Sequence, residues 1–184
     1  MSQAGFVLVG GASSRMGTDK ALLDWQGQPM VVHVANLMIP VTGQVTLVGS
    51  LAKYGHLGFA VIEDQQPGLG PLSGIRAALA ATESDWNLIV ACDMPYLNPE
   101  LLKRLLEAAK LCGADCLMPA GQPLCAAYHR RCLGTVEQAL ASGVRKVRQA
   151  LEGLRVELFE VDQVVCFQNL NSPADWAAKP VETS

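Results

Sequence analysis

An apolar run, Ala4-Gly5-Phe6-Val7-Leu8-Val9, stops abruptly at Gly10-Gly11, and within the next nine residues two cations appear, Arg15 and Lys20. A short, nearly unbroken apolar segment that gives way to glycine reads as a buried strand of a parallel sheet, covered on both faces. The small side chains of Gly10-Gly11-Ala12-Ser13-Ser14 let backbone N–H groups approach a polyanion, and the cations can neutralise it. A strand, a stripped loop and two positive charges in that order ask for a phosphate chain.

Two familiar phosphate loops do not fit. The Walker loop puts Lys immediately after its last Gly and a hydroxyl residue after that; here Gly17 and Lys20 are separated by Thr18-Asp19, and Ala21 follows. The dinucleotide fingerprint needs a second Gly two places after the first, but Gly10 is followed two places on by Ala12 and Gly11 by Ser13.

The rest of the chain alternates apolar, strand-like runs with helical periodicity, the pattern of an α/β fold with a mainly parallel sheet. Strands are expected at Val45–Val48, Phe59–Ile62, Asn87–Ala91, Asp115–Met118, Leu124–Tyr128 and Val156–Val161. Helices are expected from Pro29 to about Met38, Pro71–Ala81, from Pro99 behind an Asn98 cap, Leu133–Ala141, Val144–Leu151, and a short terminal one opened by Ser172-Pro173. With 184 residues and no repeat or linker, residues 1–184 are read as one domain.

Charge and cysteine content narrow the function. A net charge of −3 is opposite to the basic surface of a nucleic-acid binder, so the implied nucleotide is a small molecule. The amino-terminal residues lack the basic start of a signal peptide, and no apolar run approaches the roughly 18 residues of a membrane span. A cytoplasmic protein is expected. The six cysteines contain no C-x-x-C pair and no zinc-like spacing with His33, His56 or His129, so they are read as small core residues in a reducing compartment.

Ligands of open α/β sheets bind beyond the carboxyl ends of the strands. Asp93 falls there, ending Leu88-Ile89-Val90-Ala91-Cys92-Asp93, and so does Asp64 after Val61-Ile62-Glu63. A carboxylate opening onto a phosphate site suits Mg²⁺, which is held by one or two carboxylates plus phosphates; the plainer alternative for either residue is a turn or helix cap.

These motifs together resemble those of the molybdenum cofactor guanylyltransferases. Leu8-Val9-Gly10-Gly11 through Arg15-Met16-Gly17-Thr18-Asp19-Lys20 is similar to L-A-G-G-x-x-x-R-M-G-x-D-K. Cys92-Asp93-Met94-Pro95-Tyr96 resembles C-D-x-P-Y, Gly70-Pro71-Leu72-Ser73-Gly74 resembles G-P-L-x-G, and Asn169-Leu170-Asn171-Ser172-Pro173 resembles N-x-N-T-P. The resemblance implies a three-layer Rossmann-like nucleotidyltransferase fold, and transfer of GMP from GTP to molybdopterin with release of pyrophosphate. It implies Lys20, Arg15 and Asp93 as catalytic residues, Leu8, Val9, Gly10, Gly11, Lys20, Asp64 and Asp93 as nucleotide contacts, and Asn169 and Asn171 as acceptor contacts. Mg²⁺ on Asp93 is the implied cofactor. Cofactor-biosynthesis proteins or acceptor molybdoenzymes are the implied partners, with no nucleic acid and no membrane. Gly10-Gly11 and Asp19-Lys20 favour the guanylyl branch over the cytidylyl branch; a nucleotidyltransferase using CTP or a sugar phosphate is the main alternative, since the same loop serves all of them, and a nucleotide binder without turnover is the remaining class. One position departs from the pattern: an Asn proposed to contact guanine often follows the second strand, where this chain has Leu47-Val48-Gly49-Ser50. Gln122-Pro123-Leu124 likewise replaces the H-P-T of some members.

Overall fold

The computed structural model describes residues 1–10, 19–64, 68–161 and 164–170. Its strands in chain order are β1 (Gln3–Leu8), β2 (Asp24–Trp25), β3 (Gln28–Pro29), β4 (Val45–Val48), β5 (Ala60–Ile62), β6 (Trp86–Ala91), β7 (Cys116–Pro119), β8 (Cys125–His129) and β9 (Val156–Phe159). The helices are α1 (Met30–Thr42), α2 (Leu51–Tyr54), α3 (Pro71–Ala80), α4 (Pro99–Leu111), α5 (Leu133–Ala141) and α6 (Val147–Leu151). A seven-stranded sheet has the order β5-β4-β1-β6-β8-β7-β9, and β2 and β3 form a separate hairpin. Only β8 runs against the others: it pairs antiparallel with β6 and β7, while the remaining neighbours are parallel.

Alternation along the strands builds the three layers. In β1, Val7 joins a core with Val31, Val34 and Met38 of α1 and Leu102 and Leu105 of α4. Its neighbours Phe6 and Leu8 face the other way, into a core with Leu72, Ile75 and Leu79 of α3, Val136 of α5 and Leu151 of α6. Successive strand side chains point to opposite faces, so two helical layers are needed to cover a strand that is apolar at every position. In β6 the same logic sends Leu88 and Val90 to the first core and Ile89 to the second.

Several expected boundaries shift for local reasons. The first helix runs on to Thr42, beyond Met38, and contains Pro40. Proline removes the hydrogen bond that residue 40 would donate to Asn36, and both residues lie on the exposed side of the helix. The helix ends at Gly43, whose N–H donates to the Ile39 carbonyl at 2.8 Å. Helix α6 begins at Val147, later than expected, because the Val144 N–H turns back to the Ala139 carbonyl at 2.9 Å. β9 stops at Phe159, short of Val161. The helix expected from Ser172-Pro173 lies outside the described residues.

Asn98 caps α4 as its sequence implies, its side-chain oxygen accepting from the Glu100 N–H at 2.7 Å with Pro99 in the first turn. Asn98→Ala should therefore cost about 1 kcal/mol, lowering the thermal midpoint by roughly 2–4 °C for a chain of this size. Asn98→Asp should restore it, and a thermal unfolding series reads both.

Candidate active site

Four strands, β1, β4, β5 and β6, deliver the site. The end of β1 is tied to both neighbours: Val9 N–H donates to the Val48 carbonyl at 2.9 Å, and Cys92 N–H to the Leu8 carbonyl at 3.2 Å. Beyond it Gly10 has φ of +135°, a conformation that L side chains rarely adopt, so the chain can leave the sheet there with its backbone bare. The ends of β1, β4 and β5 and the start of α3 then enclose a cleft of about 730 Å³. Leu8, Val9 and Gly10 line it on one side, Gly49, Ser50 and Tyr54 on another, and Glu63, Asp64, Gly70 and Gly74 close it.

The Asn anticipated after the second strand has no counterpart here, and at Gly49 itself no side chain fits. A Cβ at Gly49 would lie 2.5 Å from the Val9 carbonyl oxygen and 3.0 Å from the Tyr54 ring. The strand end is packed against both, and the neighbouring Val48 is buried in the core. The polar side chains facing the cleft belong instead to Ser50, Lys53, Glu63 and Asp64.

Two of these are held in place. Glu63 Oε1 accepts from the Leu51 N–H at 3.1 Å. Asp64 Oδ2 takes the Ser73 hydroxyl at 2.5 Å, and that hydroxyl also lies 2.8 Å from the Gly70 carbonyl. Ser73 is buried in the first turn of α3. Sequence reasoning passed over Ser73, which it saw only as the variable position of Gly70-Pro71-Leu72-Ser73-Gly74. The one available signal was a hydroxyl residue in a stretch otherwise apolar or glycine.

Asp93 lies on the other side of β1, just beyond the end of β6. Its Oδ1 is enclosed and finds no hydrogen-bond partner among the described residues, and the same holds for Oδ1 of Asn169. The two residues are brought together by the Leu170 N–H, which donates to the Asp93 carbonyl at 3.1 Å. Burial pushes the Asp93 carboxyl above its ordinary value, an effect partly offset by its own backbone N–H and by the Lys20 ammonium. Lys20 is thus within electrostatic reach of Asp93. It opens a single 3₁₀ turn, Lys20–Leu22, whose cap is Asp19. Between the two carboxylates the Cys92 thiol is pushed up to about 12, by burial first and then by Asp93 and Asp19, so it remains protonated and inert.

Lys20 is therefore paired electrostatically with Asp93, to whose backbone the segment carrying Asn169 is tied, and Leu8, Val9, Gly10 and Asp64 line the cleft on the other side of the β1 end. Gly11, Arg15 and Asn171 lie outside the described residues. All six cysteines are free, four of them buried, as core residues should be. Among the described residues no three His, Cys, Asp or Glu side chains gather as a metal cluster, and no helix is long and apolar enough to cross a membrane. Pro123, in the departing Gln122-Pro123-Leu124 segment, accepts the Tyr128 hydroxyl at 2.7 Å and so has a structural task.

Two enclosed oxygens without hydrogen-bond donors, one of them a carboxylate, suit a hard cation that brings its remaining ligands as water and phosphate. The donor set at Asp93 and Asn169 fits Mg²⁺ on that ground.

Known proteins share this sequence pattern and fold. The family model described as the MobA-like NTP transferase domain matches residues 5–157. A probable molybdenum cofactor guanylyltransferase from Pelotomaculum thermopropionicum is 35% identical, covering 95% of this chain and 90% of that relative. The molybdenum cofactor guanylyltransferase of Pseudomonas putida is 33% identical over 91% of this chain and 92% of its own. The crystal structure of molybdopterin-guanine dinucleotide biosynthesis protein A from Archaeoglobus fulgidus superposes with a TM-score of 0.82 at 28% identity, covering 95% of both chains.

The raised carboxyl of Asp93 has a consequence for stability. Its folded value lies above its unfolded one, so the folded state holds the proton more tightly, and stability falls as pH rises through the interval between the two. Asp93→Asn, which is neutral at every pH, should without added metal melt at or above wild type at neutral pH. That advantage should disappear below the ordinary Asp range near 3.8. Thermal melts of both proteins across pH measure the difference.

Proposed function

The chain belongs to the MobA-like NTP transferase family and is a nucleotidyltransferase, and from that premise we propose that it transfers GMP from GTP to molybdopterin, making the guanine dinucleotide form of the cofactor. The observation that carries the reading is the division of the site by the end of β1. A cleft walled by Asp64 and Glu63 lies on one side, and a cation and a half-buried carboxylate, Lys20 and Asp93, lie on the other. A nucleoside triphosphate laid across Gly10 would place its base in the first and its phosphates in the second.

The chemistry asks little of a base. A terminal phosphate oxygen of the acceptor is already anionic near neutral pH and attacks the α-phosphorus in line. One P–O bond forms, the bond from the α-phosphorus to the bridging oxygen of the β-phosphate breaks, and pyrophosphate leaves with that oxygen. Catalysis is then chiefly positioning and stabilisation of charge on the phosphates. Lys20 supplies a fixed positive charge on the triphosphate. Asp93, with Asn169 beside it, would hold Mg²⁺, which when bound neutralises phosphate oxygens.

Support for guanine comes from the cleft wall. The base presents two adjacent donors, N1–H and the N2 amino group, and Glu63 and Asp64 offer adjacent carboxylates. Ser73 fixes one of these. The soluble substrates and net charge of −3 agree with action away from nucleic acid, in the cytoplasm.

Pyrophosphate release measured across nucleotides should rank GTP above CTP and ATP in kcat/KM, and a preference for CTP would overturn the guanylyl assignment. Lys20→Ala should lower kcat by roughly 10²–10³, the loss typical of one charge-stabilising donor, with a change in stability of about 0.5 kcal/mol or less. Asp93→Asn should lose most turnover and regain part of it in excess Mg²⁺; near-normal turnover at ordinary Mg²⁺ would remove Asp93 from the metal site.

A further inference from the structure

Lys20 follows a residue whose side chain is fully engaged. Asp19 Oδ1 accepts from the Ala21 N–H at 3.2 Å, and the Asp19 carbonyl accepts from the Leu22 N–H at 3.0 Å, so this residue closes the turn that carries Lys20. Its other oxygen, Oδ2, accepts the Tyr54 hydroxyl at 2.8 Å and lies 3.4 Å from the Lys53 ammonium.

The two partners of Oδ2 are unequal. Lys53 is 62% exposed, and an ion pair in that setting is screened by water and costs side-chain freedom. Tyr54 is 2% exposed and cannot move away. Its ring fills the space that a side chain at Gly49 would need. Its N–H donates to the Ser50 carbonyl at 3.0 Å, and the start of its helix is held by Glu63 through Leu51. Burial, followed by Asp19 itself, pushes the Tyr54 hydroxyl well above the ordinary phenol value, so it stays a donor across the working range.

We propose that Tyr54 is a positioning residue for nucleotidyl transfer, its hydroxyl acting through the Asp19 carboxylate to hold the Lys20 turn at the phosphate site. Helix α2 is then a strut between the two halves of the site: the same tyrosine lines the cleft and anchors the residue before the catalytic cation. This rests on the reading of Lys20 as a phosphate-binding group. Nothing in a single sequence marks it, because Tyr54 and Asp19 are far apart in the chain and α2 is one turn long.

The test uses the full chain and inorganic tripolyphosphate with Mg²⁺ as the probe, its affinity read by calorimetry in wild type, Tyr54→Phe, Lys20→Ala and the double variant. Tyr54→Phe keeps the ring and removes one hydrogen bond. It should weaken binding about fivefold to tenfold, the fold-change of one intramolecular bond, with GTP turnover falling alongside. In the Lys20→Ala background the same change should have no further effect. Equal losses in both backgrounds, or no loss in the first, would overturn the proposal and leave Tyr54 with packing alone. Asp19→Asn has a single side-chain oxygen to serve both the turn and Tyr54, and it should show the same Lys20-dependent loss; wild-type affinity there also overturns the proposal. It gives the answer if Tyr54→Phe does not fold. Tripolyphosphate carries no base, so a preference for CTP over GTP would change the assigned nucleotide and leave this result standing. Normal GTP transfer by wild type with undiminished tripolyphosphate affinity in Tyr54→Phe would overturn only the positioning role.

Discussion

The structure depends on β1 being paired along its whole length on one edge and over its last four residues on the other. Residues 3–8 pair with Trp86–Ala91 on one side, and Gly5–Leu8 pair with Val45–Val48 on the other. A parallel strand so enclosed can spend no backbone group on a ligand until it ends. Binding capacity is therefore displaced to the carboxyl ends of β1, β4, β5 and β6, where backbone and side-chain polar groups emerge from the core. The layers of helices follow from the same constraint. Phe6, Val7 and Leu8 are apolar on alternating faces, and neither face could be left in water.

Confinement at these strand ends is costly, and the site uses that cost. Asp93 is buried enough for its carboxyl to be raised, and one of its oxygens has no donor among the described residues. An enclosed, under-satisfied carboxylate destabilises the empty fold but gains most from a cation. Asp64 shows the opposite arrangement: Ser73 satisfies it before any ligand arrives. One carboxylate is pre-oriented by a hydroxyl, and the other is left for what binds it.

Much of the fold was legible because long elements carry a period. The limits of β4 and α5 match the alternation and helical spacing of their sequences, and the Asn98-Pro99 cap is a local chemical signal that the structure honours. Short elements carry none: the hairpin of β2 and β3 has two residues per strand, and α2 has four residues. The site divides along the same line. Asp64, Asp93 and Lys20 were visible because each follows an apolar run or a small-residue loop. Ser73, Tyr54 and the role of Asp19 were not, since their meaning lies in contacts made by folding. The closure of Gly49 by Val9 and Tyr54 was invisible for the same reason.

The wall of the cleft that carries Glu63 and Asp64 hangs on the sheet's weakest member. β5 has three residues, pairs only with β4 among the described residues, and lies at the edge of their sheet. Such a strand opens at far lower free energy than the enclosed β1–β6 pair. A ligand that bridges Asp64 to the β1 end fastens this strand from its open side. Occupancy of the cleft is thereby coupled to local unfolding, and it would register as slowed amide exchange in residues 60–62 while the central strands, already protected, stay unchanged. Ligand affinity in turn includes the free energy of keeping that margin closed, so substitutions in β5, whose residues do not line the cleft, can tune binding.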